Sequence, residues 1–140
     1  MRFVDTNVLL YALSTAAEER TKARTARELL DAEDLALSVQ VLQEFYVQAT
    51  RAGRADRITH EQGARVVESF LRFPVQEITV AVMRAALNTS DRYQISYWDA
   101  AIIEAARAAG CRVVLSEDLS HRQDYGGVLV ENPFRASRGG

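Results

Sequence analysis

Short apolar runs alternate with helical stripes along nearly the whole chain. Residues 2–5 (RFVD) read as a brief buried strand that ends in a carboxylate, and 7–13 as a short helix. Residues 17–31 are polar and charged, yet Ala23, Ala26, Leu29 and Leu30 fall on one helical face. LALSV (35–39) is a strand candidate, and residues 40–52 place Val41, Leu42, Phe45 and Ala49 at helical spacing, with Gly53 where that helix should end. Thr59 and Gln62 have the spacing of a capping box opening a helix to residue 73, which Pro74 stops. A strand over 75–78, helices over 79–93 and 96–110, and strands over 112–116 (RVVLS) and 128–131 complete the pattern.

Strand and helix alternate, so the expected fold is α/β. It is a three-layer sandwich with a short, mostly parallel central sheet of five strands and helices on both faces. With 140 residues, a single domain over 1–135 is expected, followed by a frayed tail at 136–140 (ASRGG). No repeat or low-complexity segment interrupts it.

Composition removes several function classes. The 19 acids and 17 bases leave a net charge of −2, which excludes a polybasic tail as the main hold on nucleic acid or membrane but not a basic patch. The single cysteine, Cys111, makes no internal disulfide and fits a reducing compartment. The apolar stretch at 8–13 is too short to span a bilayer, and Asp5 disfavours a signal peptide, so a cytoplasmic protein with no membrane association is expected. Sixteen of the 17 bases are arginine and Lys22 is the only lysine, a bias that 21 alanines tie to codon usage as readily as to anion binding.

The chemistry lies in acids at strand ends, where open α/β sheets bind ligands. Asp5 ends the first strand and Asp118 lies just past RVVLS. Each has a bland alternative, a helix cap for Asp5 and an Asx-turn for Asp118. Asp99 is more telling. At about 100° per residue, Ile95, Trp98, Ile102, Ile103 and Ala106 cluster on one side of their helix and Asp99 falls within that stripe, where an ionised carboxylate is costly unless compensated. Its alternative is a capping box with Ser96. Glu44 borders the Val41/Phe45 face and could equally be a solvated acid near a helix start. If all four share one cleft, a divalent cation relieves their repulsion, and an oxygen-only donor set favours Mg²⁺ or Mn²⁺ over zinc. Such a site suits phosphodiester hydrolysis.

These residues resemble those of PIN-domain proteins, and the size and layout are similar to VapC-type toxin ribonucleases. The resemblance rests on FVDTN (Phe3–Asn7), Glu44 in SVQVLQEF, YWDA (Tyr97–Ala100) and LSEDL (Leu115–Leu119). It implies an acidic site of Asp5, Glu44, Asp99 and Asp118, supported through hydrogen bonds by Thr6, Ser116 and Asn7. Either Glu117 or Asp118 could reach a metal, and the family's pattern of Ser or Thr, any residue, then Asp selects Asp118. It further implies an endoribonuclease that uses Mg²⁺ or Mn²⁺, forms a homodimer and is neutralised by a cognate antitoxin. The dimer seam and antitoxin groove are expected on the outer faces of the helices at 40–52 and 59–73.

Attraction of RNA falls to Arg51, Arg54 and Arg57, or to Arg20, Lys22, Arg24 and Arg27, although solvated faces explain most of these equally well. Tyr93, Tyr97 and Trp98 are expected in the core rather than stacked on bases, Trp98 above all. His60 and His121 are weaker RNA-contact candidates. A phosphoacceptor signalling domain and a haloacid-dehalogenase-type phosphatase both need a late lysine, and none follows Lys22. No P-loop or G-x-S-x-G elbow is present. The remaining rival is a catalytically weak PIN-fold module that binds RNA or a partner.

Overall fold

The computed structural model describes residues 1–135; the tail expected at 136–140 lies outside the described residues. Five strands form one sheet: β1 (Arg2–Val4), β2 (Leu35–Ser38), β3 (Val75–Gln76), β4 (Val113–Leu115) and β5 (Leu129–Glu131). Their order is β3-β2-β1-β4-β5 and every pairing is parallel. The register sets Phe3 beside Ala36 on one side and Val114 on the other. Parallel strands covered on both faces read as near-continuous apolar runs, and all of β2 (LALS) is buried.

Six helices make the crossovers: α1 (Thr6–Leu13), α2 (Arg20–Leu30), α3 (Val39–Ala49), α4 (His60–Phe70), α5 (Val80–Tyr93) and α6 (Tyr97–Ala108). From β1 the chain steps outward through β2 to β3, then returns past its start to β4. Right-handed crossovers therefore put α1–α4 on one face and α5–α6 on the other. The packing agrees: α1 lies against α2 and α3, α3 against α4, and α6 against α5, β2, β3 and β4. Phe3, Val4, Val8, Leu35, Phe45, Ile103 and Val114 are fully or almost fully buried between the layers, and the Phe45 ring meets Phe70 edge-on at 5.4 Å. Truncating Phe3 or Phe45 to alanine would cost about 3–5 kcal/mol.

The elements stop where local chemistry dictates. Thr59 and Gln62 form the complete capping box that opens α4. Helix α3 ends at Ala49, earlier than Gly53 suggested, because the Thr50 hydroxyl donates to the Tyr46 carbonyl and Ile58 N–H donates back to the Ala49 carbonyl. The intervening residues become a tight turn in which Gly53 has φ +96°. Helix α6 begins only after its cap, Ser96, so Ile95 lies outside the helix. Cys111 is buried and free. Among the described residues, no helix is long and apolar enough to cross a membrane.

Candidate active site

The reversal of strand order falls between β1 and β4, and the carboxyl ends of β1, β2 and β4 open there. A cleft of about 290 Å³ occupies this position. Its walls include Asp5, Thr6, Asn7, Glu44, Asp99, Glu117 and Asp118. The four acids singled out from the sequence are thus brought together from four separate segments.

Asp5 is the best-held of them. It is the N-cap of α1, accepting the Thr6 N–H at 2.7 Å. Its other oxygen accepts the Ser116 hydroxyl at 2.7 Å and the Asn7 amide at 3.5 Å. The cap and the cleft position therefore coexist in one carboxylate. Burial pushes its pKa up to about 6; the bonds from Ser116 and Thr6 oppose the rise, while the charges of Asp118 and Glu44 add to it.

Asn7 and Ser116 knit this side together. The Asn7 amide donates to Ser116 Oγ and to Asp118 at 3.2 Å each, and its carbonyl accepts the Glu117 N–H at 3.1 Å. Ser116 Oγ accepts the backbone N–H groups of Asp118 and Leu119 at 3.2 and 3.3 Å, closing the turn after β4. Ser116 is fully buried, so these bonds form away from water.

The opposite wall is looser. Glu44 accepts the Thr6 hydroxyl at 2.9 Å and the Gln40 amide at 3.0 Å. Asp99 sits in the first turn of α6, where its backbone N–H, donated to Ser96 Oγ at 3.1 Å, makes the cap. The carboxyl is half-buried, and its pKa is raised first by burial, then by Asp118 and Glu44, with Ser96 opposing. The expected apolar stripe holds for Ile102, Ile103 and Ala106, all buried. Trp98 departs from it: the indole is 65% exposed at the mouth of the cleft, edge-on to Tyr97 at 5.1 Å.

Glu117 and Asp118 separate by partner. Glu117 accepts the Tyr11 hydroxyl and pairs with Lys22, which together pull its pKa down against the effect of burial. Asp118 is held by Asn7 and raises the pKa of both Asp5 and Asp99. Lys22, a candidate for attracting RNA, is instead paired with Glu117, while Tyr11 and Gln40 are neighbours of the acids that the sequence pattern does not single out. Only Gln40 carries a local signal, its four-residue spacing to Glu44.

The other basic candidates divide as well. Arg51 and Arg57 are exposed, as are Arg20 and Arg24, whereas Arg54 lines the cleft. Arg27 donates to the carbonyls of Ala12 and Ser14 and so ties α2 to the end of α1. Tyr93 stacks edge-on against buried Tyr125 at 5.0 Å. Neither histidine lines the cleft: His60 bonds Tyr46, and His121 accepts the Asn132 N–H.

Among the described residues, no three His, Cys, Asp or Glu side chains form a ready-made protein cage for a metal ion. The donors are nevertheless all oxygens, and the charges of Asp118 and Glu44 help raise the pKa of Asp5 and Asp99. That chemistry fits a hard divalent cation held by one or two carboxylates and completed by water.

A doubly wound parallel sheet with an acid-lined cleft at its switch point defines a class of α/β proteins that act on or bind ligands at strand ends. The sequence description of the PIN domain matches residues 2–123, and the chain belongs to the PIN domain family. No curated protein matches the sequence. Solved structures do match in fold. A toxin–antitoxin complex from Klebsiella pneumoniae has a TM-score of 0.70 at 19% identity, covering 97% of this chain and all of that one. VapC20 of Mycobacterium tuberculosis, a sarcin-ricin-loop-cleaving toxin, has a TM-score of 0.66 at 20% identity, covering 84% of this chain and 90% of its own. VapBC2 of Rickettsia felis, bound to a promoter DNA fragment, has a TM-score of 0.65 at 16% identity, covering 94% and 97%.

Proposed function

We propose that the chain is a divalent-metal-dependent endoribonuclease and the toxin of a toxin–antitoxin pair. The observation that carries this reading is the convergence of Asp5, Glu44, Asp99 and Asp118 in one cleft at the switch point, with Asp5 pushed to about 6. Four carboxylates are costly to keep charged together, and a cation removes the cost. Family membership and the toxins and toxin–antitoxin complexes among its fold neighbours support it.

Asp5, Asp99, Asp118 and Glu44 would hold the ion, with Mg²⁺ first and Mn²⁺ as its substitute. Once bound, it would supply Lewis acidity toward a water molecule and the scissile phosphate. The protein's own part is to hold the acids still. Ser116 and the Thr6 N–H fix Asp5, Asn7 aims Asp118, and the Thr6 hydroxyl with Gln40 aims Glu44. Asp118 rather than Glu117 belongs to the set, because Lys22 and Tyr11 already engage Glu117.

The partners are an RNA substrate, a cognate antitoxin and a second copy of the chain. An apolar groove between α3 and α4, lined by Val39, Leu42, Tyr46, Ala64 and Val67, supports the seat expected there for an antitoxin helix. Labelled RNA incubated with Mg²⁺, with Mn²⁺ and with EDTA tests the activity. We expect cleavage only with metal, and its loss in Asp5→Asn and Asp99→Asn. Cleavage in EDTA, or full activity in both variants, would overturn the reading. A chain that binds labelled RNA without cutting it under any condition would instead be the binding module.

A further inference from the structure

The cleft must admit a polyanion, yet six of its lining residues, Asp5, Glu19, Glu44, Asp99, Glu117 and Asp118, are acids. Among the described residues its walls hold one cationic side chain, Arg54. Lys22 stands nearby but is engaged by Glu117.

Arg54 is aimed by the structure around it. The turn after α3 is tied by Arg54 N–H to the Arg51 carbonyl, Arg57 N–H to the Arg54 carbonyl, and Ile58 N–H to the Ala49 carbonyl. The guanidinium lies against Asp56, Nε to Oδ1 at 3.0 Å, and both side chains are about four-fifths buried. Asp56 is itself anchored, accepting the Thr15 N–H at 3.3 Å from the segment that follows α1. The approach to Asp56 is an ion pair without hydrogen-bond alignment: Arg54 Nε is shielded from solvent and has no hydrogen-bond partner. Among the described residues, no acceptor takes a hydrogen bond from the Arg54 guanidinium. With Nε turned to Asp56 and shielded from solvent, the two Nη groups are the donors left for an anion, in a cleft otherwise lined with acids.

We infer that Arg54 is a substrate-binding residue that grips a backbone phosphate of the RNA strand entering the acidic cleft. This deepens the ribonuclease reading and rests on it. The purely structural alternative is that Arg54 only pins its turn through Asp56. Arg51 and Arg57, exposed and outside the cleft, are natural controls from the same turn.

The probe is a fluorescently labelled, mixed-sequence single-stranded RNA pool. Its binding is followed by anisotropy across a salt series, with Ca²⁺ present and in an Asp99→Asn background that stops cleavage. Single-turnover cleavage is measured in the otherwise unchanged chain. We expect Arg54→Ala to weaken binding about tenfold, the size of one charged hydrogen-bonded contact. It should also lower the salt slope by about 0.7, the share of one phosphate on a single strand. In cleavage, the RNA concentration at half-maximal rate should rise with little change in the maximal rate. Arg54→Lys should keep most of the salt slope while losing part of the affinity. Asp56→Asn should fall between wild type and Arg54→Ala in affinity with the salt slope kept, because the charge stays and only its aim is relaxed. Arg51→Ala and Arg57→Ala should shift each value far less. If Arg54→Ala binds and cleaves as wild type does, the inference is overturned while the ribonuclease reading stands. It is overturned equally if Arg54→Ala loses only thermal stability, or if the exposed arginines carry the salt slope. If the unchanged chain neither binds nor cuts the pool, both fall.

Discussion

The two walls of the acidic cleft are built differently. The strand-end wall is a buried net of Asp5, Asn7 and Ser116 in which nearly every polar atom has a partner, and it holds the exposed Asp118 carboxylate at its edge through Asn7. The helix wall, Glu44 on α3 and Asp99 on α6, is half-exposed; Glu44 has two side-chain donors, and Ser96 engages the Asp99 backbone. One wall is preorganised at an electrostatic cost, and the other stays open to water and to whatever enters. A site needs both, since rigid ligands define a position while accessible ones allow exchange.

The strongest test of the contrast is loss of the rigid wall's central acid. Asp5→Asn should lower RNA cleavage by about 10³-fold, equivalent to about 4 kcal/mol of barrier. A fall of less than tenfold in a cleavage assay would place the chemistry elsewhere. Next comes pH. The Asp5 carboxyl titrates near 6 in the folded chain and near 3.8 when unfolded, so the fold binds the extra proton between those values. In EDTA, stability should fall as pH rises from about 4 to about 6, by on the order of 3 kcal/mol from this group. The raised Asp99 pKa acts in the same direction, while the lowered values of Glu117 and Asp34 act against it. Urea titrations across that range should show the slope, and Asp5→Asn should flatten it.

Smaller effects sharpen the picture. Ser116→Ala leaves Asp5 without its hydroxyl donor and should cost about 10–100-fold in cleavage, as loss of an orienting partner does. Asp99→Asn, on the open wall, should leave the metal-free melting temperature unchanged or slightly higher, because it removes a crowded charge rather than a buried net. A large fall in the melt would make Asp99 mainly structural. Least of all, Glu117→Gln should change cleavage by less than about fivefold, the scale of a partly exposed ion pair.

Much of this was legible in the residues. The strand and helix order, the parallel sheet and the Thr59–Gln62 cap follow from period and end signals that act over a few positions. The convergence of the acids was legible only as a conditional, since strand ends gather at a switch point but spacing alone does not aim a side chain. Two things were hidden. Trp98 looks like core because a helical wheel treats every turn as equally covered, whereas Trp98 is exposed while Ile102 one turn on is buried. Glu104 is inconspicuous inside the AIIEAA run, yet it is buried and held by Thr89 and Arg107. Arg107 in turn grips the carbonyls of Tyr125 and Gly126. Such a clamp joins residues distant in sequence and leaves no local pattern.

The lone lysine of the sequence is the one that bridges to Glu117 beside Tyr11. Acylating that amine would erase its charge and leave Glu117 as one more unbalanced anion at the rim. Once the α-amino group is blocked, a dye attached through an amide bond would mark this one side-chain amine beside the entrance, turning a feature of composition into a built-in reporter on what passes through it.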